Sequence, residues 1–224
     1  MVRFNLVITI LLMISMAVKA ELTSRMFDVR HVGYAEGLSS QRVFSIVEDG
    51  DGAMWIATKT GIDRYNGYTV KNYDLPGNFY YGDLAGRRLY LLYDARQGLF
   101  AYDHTGRIYR YSSIYDHFEQ ILHLGHLIQE EVILNKLCLD DDGTWWMGSD
   151  KGLYKQEADN RIVAVLKGQY VNDIAFVGES LFVGTSNGVW QLSHALPDRK
   201  HQLLEGWNVQ TLFCDKPKKE LWIG

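Results

Sequence analysis

The chain has 224 residues, 23 Lys and Arg against 27 Asp and Glu for a formal net charge of −4, with 47% hydrophobic and 22% charged residues. This is a globular composition, and it excludes a disordered chain, a collagen and a basic nucleic-acid binder. The 21 Gly, 14 Tyr, 9 Phe and 6 Trp beside only 3 Pro and 2 Cys favour strands joined by tight turns and exclude a disulfide-stapled scaffold.

The first segment reads as a secretory leader. Arg3 precedes an apolar run from Leu6 to Val18 (LVITILLMISMAV), too short for the roughly 20 residues of a membrane-spanning helix. Val18 and Ala20 put small side chains at the −3 and −1 positions, so residues 1–20 are assigned as a signal peptide cut between Ala20 and Glu21. An uncleaved anchor is the alternative. Loss of Arg3 and Lys19 leaves 21 basic against 27 acidic groups, a balance that attracts neither nucleic acid nor an anionic membrane at long range. The expected location is periplasmic.

Residues 21–36 follow, with Phe27 to Tyr34 (FDVRHVGY) as the strand expected to close a ring of sheets. A repeat then begins. VFSIVEDGDGAMWIATKTGIDRYNGYTV, from Val43 to Val70, is echoed without a gap by LNKLCLDDDGTWWMGSDKGLYKQ from Leu134. VNDIAFVGESLFVGTSNGVWQL from Val171 and VQTLFCDKPKKELWIG from Val209 continue the pattern, and RRLYLLYDARQGLFAYDHTGRIYRYS is a degenerate copy between the first two. The repeat glycines are read as Gly61, Gly98, Gly152 and Gly188, at intervals of 37, 54 and 36 residues, and the long interval places an irregular insertion at Ser112 to Glu131.

Each unit supplies four antiparallel strands. The Asp-Gly runs at Asp49 to Gly52 and Asp141 to Gly143 tolerate the positive φ of a hairpin between strands one and two. The glycines of KTG, DKG and SNG turn strand two into three, and Asn66-Gly67 or Thr105-Gly106 turns three into four. Trp55, Trp146 and Trp222, with Phe182 substituting, are the bulky second-strand residues expected to pack each sheet on the next. The fold class is therefore all-β, a β-propeller of four-stranded antiparallel blades. Blades are placed at 37–78, 79–129, 130–168 and 169–205, with a partial fifth at 206–224, as an open, incomplete arc.

Gly37 to Asp74, GLSSQRVFSIVEDGDGAMWIATKTGIDRYNGYTVKNYD, resembles the two-component-regulator propeller repeat of the periplasmic sensors in hybrid two-component systems of gut Bacteroidetes. It departs from that repeat at Ala57, where the family usually has Gly, as at Gly148, Gly184 and Gly224. The resemblance implies an N-terminal fragment of a sensor for oligosaccharides or another small ligand. The full-length relative would be a homodimer anchored in the inner membrane through downstream segments and carrying a histidine kinase. This chain would itself be non-catalytic, with no cofactor and no direct nucleic-acid contact. Because it stops at Gly224 inside a strand, an unclosed arc with two unpaired sheet edges is expected.

Propeller geometry puts a ligand on the face where blades connect and where strand two turns into three. The first set of positions there is Gln41, Arg42, Tyr170, Trp207 and Asn208; the second is Lys59, Asp150, Lys151 and Asn187. Arg and Asn hydrogen-bond hydroxyl or acidic groups, and Tyr or Trp stacks on a sugar face. His123 and His126 (HLGH) with Glu130 and Glu131 lack a third ligand at a diagnostic zinc spacing. The EDGDG and LDDDG runs lack the terminal Glu of a calcium loop and read as hairpin turns. A sugar hydrolase needs two carboxylates about 5 to 9.5 Å apart, and acid pairs do not recur near the axis, so an enzyme is the weaker alternative to a lectin-like or scaffold propeller without a kinase. Cys138 and Cys214 fall two blades apart, beyond disulfide reach, and are expected as buried free thiols. Intact mass spectrometry of the protein under non-reducing conditions should give the fully reduced mass; a value two hydrogens lower would refute this.

Overall fold

The computed structural model describes residues 29–77, 88–193, 199–215 and 217–224. The assigned signal peptide and its cleavage point lie outside the described residues. Residues 32–224 form one compact unit. Its first blade is β1 (Val43–Glu48), β2 (Met54–Thr58), β3 (Ile62–Tyr65) and β4 (Val70–Tyr73). The second is β5 (Leu89–Asp94), β6 (Gly98–Asp103), β7 (Arg107–Ser112) and β8 (His117–His123), followed by a one-turn helix, α1 (Leu124–Ile128). The third is β9 (Leu134–Leu139), β10 (Trp145–Ser149), β11 (Gly152–Gln156) and β12 (Ile162–Lys167). The fourth is β13 (Val171–Val177), β14 (Ser180–Thr185), β15 (Gly188–Ser193) and β16 (Lys200–Leu203), and β17 (Leu212–Asp215) with β18 (Glu220–Ile223) begins a fifth.

Each set of four strands pairs antiparallel in chain order, the last two make a two-stranded sheet, and among the described residues no sheet closes on itself. The chain is thus an all-β, open array of propeller blades. The first strand of every sheet lies beside the first strand of the next: β1 by β5, β5 by β9, β9 by β13 and β13 by β17. Side-chain amides tie these inner strands together. Asn135 Nδ2 donates to the Val171 carbonyl at 2.8 Å and Asn172 Nδ2 to the Val209 carbonyl at 2.7 Å. Lys136 Nζ reaches Asp173 Oδ1 at 2.8 Å, while Asp173 Oδ2 accepts from the Leu212 N–H at 2.9 Å, so one carboxylate joins blades three, four and five.

The repeat unit works as one three-part device. Asp49 Oδ1 accepts from the N–H groups of Asp51 and Ala53 and so holds the β1–β2 turn; its Oδ2 accepts the Trp55 indole N–H at 2.7 Å. Asp140 repeats every part of this with Asp142, Thr144 and the Trp146 indole, at 2.9 Å. Across the sheet, Trp55 pairs with Arg64 and Trp146 with Lys155, each cation lying over the ring at 5.3 and 5.1 Å from its centroid. Asp49 and Asp140, the first aspartates of the EDGDG and LDDDG runs, therefore serve turns and indoles. Both tryptophans are almost wholly enclosed and pack on the following blade, Trp55 against Leu89, Leu91 and Phe118, and Trp146 against Val171, Ile174 and Val183.

Blade two departs from the sequence-based register. Gly98 lies in the β5–β6 hairpin, paired with Asp94, and Thr105-Gly106 turns β6 into β7 rather than strand three into four. The glycine equivalent to Gly61, Gly152 and Gly188 is Gly106, which makes the intervals 45, 46 and 36 residues and removes the 54-residue gap. In each β2–β3-type turn, the residue three before the glycine closes the loop. Thr58, Ser149 and Thr185 donate to the carbonyls of Gly61, Gly152 and Gly188 at 3.1, 3.0 and 2.9 Å. In blade two Asp103 takes that place and instead accepts from the Thr105 and Arg107 N–H groups. An acid substituting for a hydroxyl hid the correspondence. Glycine itself is required at position 188, where φ is +106° and an added Cβ would sit 2.7 Å from the Leu203 carbonyl.

Three further expectations change. Ser112 to Glu131 is not an irregular insertion: it holds β8, which is the fourth strand of blade two, and α1. With Gly106 as reference, Phe100 occupies the tryptophan position of this blade, under Arg110 across the sheet at 5.7 Å. Within Phe27 to Tyr34 the described residues, 29–34, carry no strand; Tyr34–Glu36 is a 3-10 turn held by Glu36 Oε2 accepting the Gly33 N–H at 2.6 Å. Trp222 is 61% exposed, because the side of β18 turned away from blade four meets no further sheet among the described residues. Phe182 does face blade five, packing with Val209 and Leu212. Ala57 replaces the glycine of Gly148 and Gly184, whose added Cβ atoms would meet Val171 and Val209; in blade two the same position is Tyr102.

Cys138 and Cys214 are free, and each is half-buried rather than buried. Desolvation of its sulfur pushes the Cys138 thiol up to about 12. At the outer edge of blades one and two, Asp116 Oδ1 accepts from Tyr73 Oη at 2.8 Å and Tyr111 Oη at 2.7 Å, while Lys71 Nζ contacts Oδ2. Bonds from Lys71, Tyr111 and Tyr73 hold this carboxyl far below the usual range.

Two tests follow from the packing. Trp146→Ala should lower stability to urea by about 3–5 kcal/mol, as loss of an enclosed aromatic does, whereas Trp222→Ala at the equivalent but exposed position should change it by less than about 0.5 kcal/mol. Equal effects would show that the two tryptophans do not differ in packing. Burial works to raise the Asp49 carboxyl, but hydrogen bonds from Trp55, Ala53 and Asp51 and the Arg64 charge outweigh it and hold it below 3.8. Its contribution is therefore complete above that value and is lost as pH falls through the lower folded pKa. Asp49→Asn should make the stability profile shallower below pH about 4, read by urea unfolding at stepped pH; an unchanged acid limb would contradict the assignment.

Candidate ligand-binding site

The loops before each first strand and after each second strand meet on one face through the same backbone bond. The Lys59 N–H donates to the Arg42 carbonyl at 3.0 Å, His104 to Arg88 at 3.1 Å, Asp150 to Ile133 at 3.0 Å and Ser186 to Tyr170 at 3.0 Å. The fold thus repeats one pair of loops per blade and varies only their side chains.

Between blades two and three these loops border a cleft of about 890 Å³. Asp150 and Lys151 form one wall; His104 and Thr105 from the β6–β7 turn, His123 and His126 at α1, and Glu130 supply the rest. Asp150 is already committed: Oδ1 accepts the Ile133 N–H at 2.7 Å and Oδ2 lies 3.2 Å from Lys151 Nζ. His123 Nδ1 accepts the His126 N–H at 3.1 Å, and the two imidazoles stack with centroids 4.0 Å apart. Burial, then the neighbouring His126 and Arg107, hold His123 below its ordinary pKa, so the neutral ring carries its proton on Nε2. Among the described residues no three His, Cys, Asp or Glu side chains converge as a metal site.

Of the nine residues expected to meet a ligand, the structure brings only Asp150 and Lys151 to this cleft. Arg42 lies over the Phe44 ring at 5.5 Å from its centroid, and Gln41 is exposed beside it; their partner in the loop pair is Lys59. Tyr170 is 42% and Trp207 66% exposed at blades four and five. Asn187 is used structurally, its Oδ1 accepting the Gly206 N–H at 3.0 Å and its carbonyl accepting Gln202 Nε2 at 2.7 Å. Asn208 accepts from Gln210 Nε2 at 2.9 Å. The sequence reading missed His104, Thr105 and the imidazole pair as cleft walls. Placing the repeat glycine at 106 is the signal that would have put His104 and Thr105 in the same turn as Asp150 and Lys151.

Among the described residues no helix is long and apolar enough to cross a membrane. No curated protein matches the sequence. Residues 37–60 match the family described as Two component regulator propeller. The structure is similar to the extracellular domain of the hybrid two-component system BT3049 from B. thetaiotaomicron, at 18% identity and a TM-score of 0.69, covering 87% of this chain and 29% of that one. The corresponding domain of BT4673 from the same organism gives 19% and 0.63, with 82% and 26% covered. Virginiamycin B lyase from Staphylococcus aureus gives 14% and 0.62, with 81% and 62% covered. The chain therefore spans between a quarter and a third of the two sensor domains. Residues 37–60 match the two-component regulator propeller repeat, and the fold around them is similar to that of two extracellular domains of hybrid two-component systems.

Proposed function

We propose that this chain is the propeller part of an extracytoplasmic sensor in a hybrid two-component system and that it binds an oligosaccharide on its loop face. The observation that carries the reading is the regulator repeat at residues 37–60, set in a fold shared with two extracellular domains of such systems. The fold alone is neutral, since virginiamycin B lyase shares it. In the cleft the carboxylate of Asp150 is occupied by Lys151 and the Ile133 N–H, which suits holding a hydroxyl-rich ligand better than moving protons. Exposed Tyr170 and Trp207 on the same face offer flat apolar surfaces for pyranose rings.

On this reading the chain is non-catalytic and a kinase, a membrane helix and a second copy of the sensor belong to the parent protein. The ligand then signals only through different affinities for two arrangements of the paired sensors. The direct test is calorimetric titration of the chain with maltohexaose, cellohexaose, xylohexaose and mannohexaose. At least one should bind, and Arg42→Ala, Lys151→Ala and Trp207→Ala combined should weaken it by about tenfold or more. Binding by none of the four, or binding indifferent to the triple variant, would overturn the loop-face reading.

A further inference from the structure

A second concavity, of about 720 Å³, opens on the flank between blades two and three. The corresponding flank of blades one and two is filled by the Asp116 cluster with Tyr73, Tyr111 and Lys71. Here the space is left open, floored by Trp145 and Phe100, whose rings meet edge to face at 4.7 Å. Its walls carry Arg110, Gln120, Gln156 and Asn160, and no Asp or Glu lines it.

Arg110 is the anomaly. It holds the repeat position of Arg64, which has Asp49 at 3.5 Å and Asp51 at 4.0 Å. In blade two the equivalent acid, Asp94, caps its own turn through the Arg96 and Gln97 N–H groups and lies 3.8 Å from Arg96. Glu119, directly opposite Arg110 across β7–β8, is turned to His117 Nε2 at 3.1 Å. Among the described residues Arg110 is left with the Gln97 carbonyl at 3.2 Å and the face of Phe100. A guanidinium fixed by a carbonyl and a ring, without a carboxylate, retains a free donor edge for a bidentate acid.

We propose that this groove, which borders the loop-face cleft at His123 and His126, is a second binding site, for an acidic sugar. Its uronate carboxylate pairs with Arg110, its ring lies on Trp145, and its hydroxyls meet the side-chain amides of Gln120, Gln156 and Asn160. Trp145 is half-buried, and its indole supplies the flat apolar surface that a pyranose face requires.

The test is calorimetric titration of the chain with tetragalacturonate and with neutral maltotetraose. Tetragalacturonate should bind at least about tenfold tighter than maltotetraose. Arg110→Ala should weaken it by about ten- to a hundredfold, as for loss of a charge-assisted pair. Arg110→Lys should restore only part of the affinity because the fork is lost, and Trp145→Ala should cost about tenfold. Circular dichroism checks that each variant keeps its sheets, and Arg110→Lys serves if Arg110→Ala does not fold. No binding of tetragalacturonate, equal affinity for the two sugars, or full affinity in Arg110→Lys and Arg110→Ala would overturn the proposal. Loss of tetragalacturonate binding on Lys151→Ala, with Arg110→Ala unaffected, would also overturn it by moving the acid to the loop face, while leaving glycan sensing standing.

Discussion

The stacking of the first three blades depends on one aromatic ring in each, Trp55, Phe100 and Trp146, enclosed almost completely by its neighbours. A four-stranded sheet cannot bury both faces by itself, and stacking on its neighbour at about 10 Å requires a side chain large enough to fill the gap. Trp55 and Trp146 do this with almost no exposure. The aspartate at the preceding turn fixes the indole from one side, and a cation from the next strand covers its face. One carboxylate thereby satisfies a hairpin and an indole together, so turn geometry and interblade packing are set by the same atoms.

That economy frees the loops. The sheets hold one another through their faces and through inner-strand amides such as Asn135 and Asn172, while each turn on the connecting face is fixed by one backbone bond to the neighbouring loop and by the hydroxyl or carboxylate three residues before its glycine. Their side chains can then differ from blade to blade: Lys59 in the first, His104 in the second, Asp150 and Lys151 in the third, Asn187 in the fourth. A repeated frame with variable loops is the physical basis for a recognition surface. Blade two shows the other side of this freedom. Its Asp103, Phe100 and Tyr102 each replace a repeat residue, and with Asp94 turned to Arg96 its Arg110 has no carboxylate partner among the described residues.

Much of the fold was legible from the chain alone. Strand-and-turn alternation, the Trp and Gly spacing of blades one and three, and the all-β class all follow from local rules, because positive-φ turn residues and period-two patterning act over a few neighbours. The candidate site was legible only as a face. Asp150 and Lys151 do border the cleft, whereas Arg42, Tyr170 and Trp207 sit at other blades. No rule of spacing says which loops come close enough to enclose a volume.

The sequence by itself determined where the sheets turn and which residues carry the repeat in three of the blades. Only the tertiary structure decided that Gly106 rather than Gly98 is the repeat glycine of blade two, that Ser112 to Glu131 contains its fourth strand, and that Trp222 is exposed while Trp146 is enclosed. The same holds for charge: Lys71 meets Asp116, Lys136 meets Asp173, and Arg110 meets no acid among the described residues. These outcomes depend on partners tens of residues away, brought together when one sheet stacks on the next. The energy of such contacts resides in burial and pairing across blades, which a single strand and its turns do not contain.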